Sequence, residues 1–191
     1  MIAVVDYSPD AGVLADFVKE CGIACVLTTR ELEISKADCV ILPHAPVIPA
    51  VVRKLHLLNL FSFIRLLKKP ILGVCGGVQL LCEFSGDTSC AALGFLPGTG
   101  ENGSLFTGTT LIRNSGKASL LTDRQEFEVT IPQLLSLPKN DLTTFIPVDF
   151  PETAAIIEKE MCFGIQFNPE SSGEAGREII QRFSLLHGVA Q

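Results

Sequence analysis

Lys69-Pro70-Ile71-Leu72-Gly73-Val74-Cys75-Gly76-Gly77-Val78-Gln79-Leu80-Leu81 carries a short apolar run, Ile71 to Val74, that stops at a glycine-bracketed cysteine and gives way to helical spacing. That is the layout of a nucleophile elbow, in which a strand turns sharply into a helix and holds one reactive side chain at the bend. Gly73 and Gly77 allow strand and helix to approach closely, and small neighbours relieve a crowded turn. A helix start beside Cys75 is expected to favour its thiolate through backbone N–H groups and the positive dipole end. A glycine-flanked cysteine is also compatible with a buried structural thiol; the elbow spacing favours the reactive reading.

Upstream of this stretch the pattern is strand, helix, strand, helix, strand. Ile2 to Val5 is a continuous apolar run, a strand buried on both faces rather than an alternating one. Ser8-Pro9-Asp10 predicts an N-cap, a proline at the first helical position and an early acid. Val13, Leu14, Phe17 and Val18 recur at helical spacing, and Gly22 stops the helix. Ile23 to Thr28 predicts a second strand, Glu31 to Lys36 a short helical connection, and Cys39 to Leu42 a third strand closed by Pro43. This order predicts a doubly wound, flavodoxin-like α/β domain with a mostly parallel sheet covered on both faces. Pro49 to Lys69 is helical with a break near Asn59, and its many leucines and phenylalanines suit a helix wedged against the sheet.

Downstream, the elbow helix is expected to run to about Phe84, and Ser85 to Gly103 to form a loop rich in Gly, Ser and Thr. Strands are expected at Leu105–Arg113, Phe127–Ile131 and Thr143–Val148. Ala154–Glu158 and Met161–Phe167 suit a hairpin around Lys159-Glu160, and Gly173 to His187 an amphipathic helix. No internal repeat or linker divides the chain, so all 191 residues are expected to form one domain.

Composition removes several function classes. Fifteen Lys and Arg against 21 Asp and Glu give a net charge of −6, which disfavours nucleic acid or an anionic membrane as partner. No uncharged apolar run approaches membrane-spanning length, and the start lacks signal-peptide features. Seven cysteines without paired metal spacing suit small buried thiols in a reducing cytoplasm. No metal site, nucleotide motif or flavin motif is visible, so no cofactor is expected.

Two separated motifs carry a family resemblance. Gly73, Cys75, Gly77 and Gln79 match the G-x-C-x-G-x-Q pattern of class I (triad-type) glutamine amidotransferases, and Gly164-Ile165-Gln166-Phe167-Asn168-Pro169-Glu170 is similar to their G-x-Q-F-H-P-E segment. Ile2 to Tyr7 and Leu93 to Gly98 look most like the glutaminase subunit of imidazole glycerol phosphate synthases. The resemblance implies that Cys75 attacks the carboxamide of glutamine, that Glu170 orients the base, and that the Gly76 N–H lies at the oxyanion site. It implies a glutamine or glutamine-like ligand and a synthase subunit that receives the ammonia.

Three departures qualify it. Asn168 stands where the family carries its base histidine, and an amide accepts no proton near neutral pH. In subtilisin, loss of the histidine costs on the order of a million-fold in turnover. Leu42-Pro43-His44-Ala45-Pro46 replaces the glycine-containing loop of the relatives, with His44 and Pro46 at glycine positions while Ala45 keeps an N–H. Proline donates no hydrogen bond, and neither replacement has glycine's freedom. The relatives' Pro-His-x-Gly-Trp and His-Ser-Tyr segments are missing, and the chain has no tryptophan. The expectation is a homologue degenerate in glutamine hydrolysis that binds a ligand or partner. The alternative is an active glutaminase subunit delivering ammonia, with His44 as a relocated base reaching Cys75 or with a base from a partner. His56 and His187 are assigned no role.

Overall fold

In the computed structural model, residues 1–86, 90–116, 118–121, 123, 125–137 and 140–186 are described, with backbone alone at 101–105 and 136. The first half alternates β1 (Ile2–Val5), α1 (Ala11–Glu20), β2 (Cys25–Thr28), α2 (Glu31–Lys36), β3 (Cys39–Leu42), α3 (Ile48–Leu57), α4 (Leu60–Arg65), β4 (Ile71–Val74) and α5 (Gly76–Leu81). The second half adds β5 (Cys82–Ser85), β6 (Cys90–Ala91), β7 (Leu96–Asn114), β8 (Glu126–Ser136), β9 (Thr143–Pro147), β10 (Ile156–Lys159), β11 (Cys162–Ile165) and α6 (Gly173–Ser184). The sheet runs β2-β1-β3-β4-β11-β10-β9-β7-β5-β6, with β8 paired to β7.

The strands β2, β1, β3, β4 and β11 pair in parallel, which is the flavodoxin-like arrangement expected. Their short apolar runs do not alternate because both faces are covered. Ile2 and Val4 pack with Leu14 and Val18 of α1 and Ile179, Ile180 and Phe183 of α6. Ala3 and Val5 pack on the opposite face with Ile34 of α2, Val51 and Leu55 of α3, and Ile64 of α4. The long apolar stretch 49–69 breaks at Asn59, whose φ of 58° interrupts the helical path. Each half buries one stripe, and Leu57 and Leu66 are left exposed.

Several expectations are corrected. The helix after Cys75 ends at Leu81, because Cys82 is extended (ψ 169°) and starts β5, which pairs in parallel with β7. Residues 85–103 are not a loop throughout: β6 lies within them and β7 begins at Leu96, drawn into strands by pairing with β5 and β8. Those partners lie too far along the chain to be visible in local composition; residues 87–89 lie outside the described ones. Ser8 is not the cap of α1. The cap position is Asp10, without a side-chain cap hydrogen bond, and Ser8 offers its carbonyl to the Ala11 N–H at 3.2 Å. The preceding Tyr7 is tied by its hydroxyl to the Pro43 carbonyl at 2.6 Å, which holds this turn over the strand ends. The closing helix α6 ends at Ser184, and His187 lies outside the described residues. Among the described residues, no helix is long and apolar enough to cross a membrane.

Close backbone approach positions the turn after β4. A Cβ on Gly73 would lie 2.7 Å from the Gly77 carbonyl oxygen, and one on Gly77 would lie 2.3 Å from that of Leu42. At the other end of the site, a Cβ on Gly176 would meet the Pro169 carbonyl oxygen at 1.9 Å. Gly176→Ala is therefore expected to lower stability by about 1–3 kcal/mol, since backbone must move. Gly12→Ala, where an added Cβ meets nothing within 4 Å in α1, is expected to raise it by about 0.5–1 kcal/mol. Urea unfolding midpoints of the two variants, moving in opposite directions from the parent, check this.

Candidate active site

The loops after β1, β3, β4 and β11 meet at the C-terminal edge of the parallel strands, where this architecture places its sites. Cys75 follows β4 directly and adopts φ 51°, ψ −119°, a conformation costly for a residue with a Cβ. It is held there because its N–H donates to the Ile165 carbonyl at 2.8 Å, continuing the β4–β11 ladder by one residue. Three residues beyond Ile165 comes Asn168. Its N–H donates to the Thr130 carbonyl at 3.1 Å. The Ser172 hydroxyl donates to the Asn168 carbonyl at 2.7 Å and accepts from the Thr130 N–H at 3.0 Å. Gln166 underpins the segment: fully buried, it accepts from the Leu135 N–H at 2.7 Å and donates to the Leu135 and Ala154 carbonyls.

These supports bring the Cys75 thiol to 2.8 Å from Asn168 Oδ1, with the thiol donating, although the two residues are 93 positions apart. Asn168 lines a cavity of about 450 Å³ together with Asp10, Val13, His44, Pro132, Glu170 and Ser171. Cys75 is only 1 % exposed and does not line it. The amide covers the sulfur.

The electrostatics run against the thiolate expected from the helix start. Burial pushes the Cys75 thiol well above its ordinary range, and the negative charges of Glu170 and Asp10 add to the shift. Helix α5 is only six residues long, and its dipole does not offset the desolvation. Glu170 is itself raised, chiefly by burial, and one of its carboxylate oxygens, Oε2, is buried without a hydrogen-bond partner.

His44 lies in the cavity, but its contact there is not with the sulfur. Its Nδ1 accepts the Gly76 N–H at 3.1 Å. Burial lowers the pKa of His44, so the neutral ring keeps the lone pair that this bond requires. The N–H expected at an oxyanion site is thus already engaged by a side chain. Ala45 is buried with its backbone packed against Gly76, where an added Cβ would lie 2.3 Å from the Ala45 oxygen. Gly77 lies under the Leu42 and Pro43 carbonyls, and Gln79 is buried against Gly100 of β7, so neither lines the cavity. His56 stacks on Phe61, away from the site. Among the described residues, no group of three or more His, Cys, Asp or Glu side chains could hold a metal ion.

Asp10 is the residue that sequence reasoning missed. Its pattern is that of a helix-start acid, yet its charge acts on Cys75, Glu170 and His44 together. A signal for it does exist in the sequence: a residue in the loop after the first parallel strand belongs to the same edge as the loop after the fourth.

The family model of class-I glutamine amidotransferases matches residues 13–186. The chain belongs to that family. Similar class I relatives include the imidazole glycerol phosphate synthase subunit HisH of Exiguobacterium sibiricum, 30 % identical over 96 % of this chain and 94 % of the relative. HisH of Shouchella clausii is 27 % identical over 97 % and 98 % of the two chains. Among solved structures, a glutamine amidotransferase superposes with a TM-score of 0.77 at 12 % identity, covering 98 % of each chain. A putative GMP synthase subunit from Thermoplasma acidophilum gives 0.73 at 19 % identity, over 98 % of this chain and 94 % of that one. At such identities these two speak for the amidotransferase fold.

Burial first, and charge second, set the expected order in which the thiols of this chain react. With native protein, iodoacetamide is expected to label the half-buried Cys25 and Cys90 before the buried Cys75. Glu170→Gln removes one of the charges that hold the Cys75 thiol protonated, so the pH profile of Cys75 labelling should shift to lower pH. Peptide mapping by mass spectrometry across pH checks both.

Proposed function

We propose that this chain is a degenerate glutamine amidotransferase that has lost ordinary glutamine hydrolysis and acts as a ligand- or partner-binding subunit. The observation that carries this reading is the Cys75 thiol donating to Asn168 Oδ1 at 2.8 Å. An amide oxygen in that place stabilises the neutral thiol and takes no proton from it, so attack on a carboxamide lacks its general base. The turn at Cys75, with its positive φ, supports reading the stretch as a nucleophile elbow that keeps its shape. Two further observations point the same way: a thiol raised by burial and by two carboxylates, and an oxyanion N–H engaged by His44.

The roles follow from position. Cys75 is the former nucleophile, Asn168 stands in the place of the base, and Glu170 is the carboxylate that a base would need behind it. Gly76, with Ala45 beside it, marks the oxyanion position. Gly77 and Gln79 serve the packing beneath it. The ligand class is glutamine or a related carboxamide, admitted to the cavity between His44 and Glu170. A synthase subunit is the proposed partner, since the relatives bear the name of a synthase subunit. Seven free cysteines suit a reducing, cytoplasmic setting, and the family match along 13–186 suits a single domain.

The alternative is an active glutaminase with His44 or a partner supplying the base; its first form is disfavoured by the engagement of His44 Nδ1 with Gly76 rather than with the sulfur. An ammonia-release assay decides between them. The parent chain is expected to show no glutamine-dependent release above background. Asn168→His should gain turnover, roughly 10²–10⁴-fold over the parent, the usual contribution of a positioned base. Adding His44→Gly frees the Gly76 N–H and should raise it further, by up to about 10²-fold. Efficient release by the unmodified chain alone overturns the degenerate reading.

A further inference from the structure

We infer that this protein carries a second site, at the opposite end of the central strands, that binds a compact phosphate-bearing anion. The site is a cavity of about 280 Å³ where Arg65 at the end of α4, Lys68 and Lys69 of the following turn, and Lys159 of the β10–β11 hairpin converge, with Glu160 the one carboxylate in the lining. This volume lies just below the range usual for small-ligand sites, about 300–1,000 Å³. Both β4 and β11 begin beside it and lead at their other ends into the turns that carry Cys75 and Asn168, so the length of a four-residue strand, about 13 Å, lies between the two sites.

Four cations gathered against one acid are unusual in a chain whose net charge is −6. None of the four is ion-paired with a carboxylate among the described residues. Two of them are pinned by backbone. Half-buried Lys69 donates to the carbonyls of Ile34 at 3.2 Å and Ser35 at 2.8 Å, and to that of Ala37. Lys159, also half-buried, donates to the Phe95 carbonyl at 3.1 Å. Asp38, which acts electrostatically on Lys69, is itself bound by the N-terminal ammonium at 2.6 Å.

Carbonyl partners hold an ammonium in place without neutralising it, so the cavity keeps a positive field. Arg65 and Lys68 are exposed at the rim, and the Arg65 guanidinium rests 5.9 Å from the centre of the Phe61 ring. The three N–H donors of Lys69 are all spent on carbonyls, so it contributes charge alone, while Lys159 keeps donors and the Arg65 guanidinium can bind a multiply charged oxyanion bidentately. Partial enclosure concentrates that field.

The test is titration of the full chain with inorganic pyrophosphate by calorimetry, at low ionic strength and at about 0.15 M salt. Saturable binding of one equivalent is expected, weaker at the higher salt. Arg65→Gln and Lys68→Gln should each weaken it about ten-fold, the equivalent of one charge-assisted hydrogen bond. The double variant should be weaker still, while Cys75→Ser leaves binding unchanged. Equal weakening by Lys19→Gln, a surface charge on α1 across the sheet, would mean diffuse attraction and overturn the site. Failure to saturate overturns it as well. So does binding of poly-glutamate without binding of pyrophosphate, which would indicate an acidic protein surface as the occupant. Because Cys75 and Asn168 take no part, these outcomes are independent of whether glutamine is hydrolysed.

Discussion

The parallel pairing of β4 with β11 is the constraint on which the site depends. Register sets Ile71 beside Cys162 and Val74 beside Ile165, and the next hydrogen bond, from the Cys75 N–H to the Ile165 carbonyl, fixes the backbone of the cysteine itself. A side chain three residues past Ile165 can then reach the sulfur. Side chains alternate between faces with a period of two, so a slip of one residue would turn Val74 and Ile165 out of the cluster they share with Leu72 and Phe163. Both faces are packed, so the slip would force those side chains into the filled cluster around Val40 and Ile71 on the opposite face, at about 1–3 kcal/mol for each misfit. That fixed register keeps Cys75 in a positive-φ conformation that local preferences oppose.

Given that geometry, the balance between desolvation and favourable field decides the state of the thiol. A six-residue helix, whose dipole acts only within its first turn, faces burial at 1 % exposure and two carboxylates of like charge to the thiolate. All three opposing effects favour the neutral form. The same burial acts on His44 in the opposite sense of charge and keeps its ring neutral, which is the state that can accept from Gly76. One local property, exclusion of water at the strand ends, therefore sets both the protonated thiol and the occupied N–H.

Much of the fold is legible because its signals are local. Runs such as Ile2–Val5 and Cys39–Leu42, apolar at every position, mean strands covered on both faces, and Pro70 and the break at Asn59 punctuate the helices before β4. Cys75 is recognisable from the elbow spacing, Asn168 and Glu170 from the resemblance of residues 164–170 to a family motif, and the structure places all three at one edge. The second half of β7 is legible as the expected strand Leu105–Arg113, but β5, β6 and the first half of β7 are not, since such segments become strands only when partners far along the chain are in place. Neither the contact chosen by His44 nor the reach of Asp10 can be read from sequence, because both depend on how separate loops stack over one sheet edge. The thiolate expectation fails for a related reason: a helix start is written in sequence, whereas depth of burial is a property of the whole packing.

Hydrogen-bond accounting gives the site a direction of change. Nearly every polar group around the cysteine has a partner: the thiol has Asn168 Oδ1, the Gly76 N–H has His44, and the Asn168 backbone has Thr130, Ser171 and Ser172. The exception is Glu170 Oε2, buried with none. An unsatisfied buried acceptor costs about 1–3 kcal/mol, more when charged, and burial has raised the pKa of this carboxyl accordingly. A residue at 168 that donated to the carboxylate on one side and accepted from the thiol on the other would remove the deficit. An imidazole has a nitrogen for each, whereas the Asn168 amide is short and its oxygen is turned to the sulfur. The orphaned oxygen thus marks the place in this site where one further hydrogen-bond donor would stabilise the fold most.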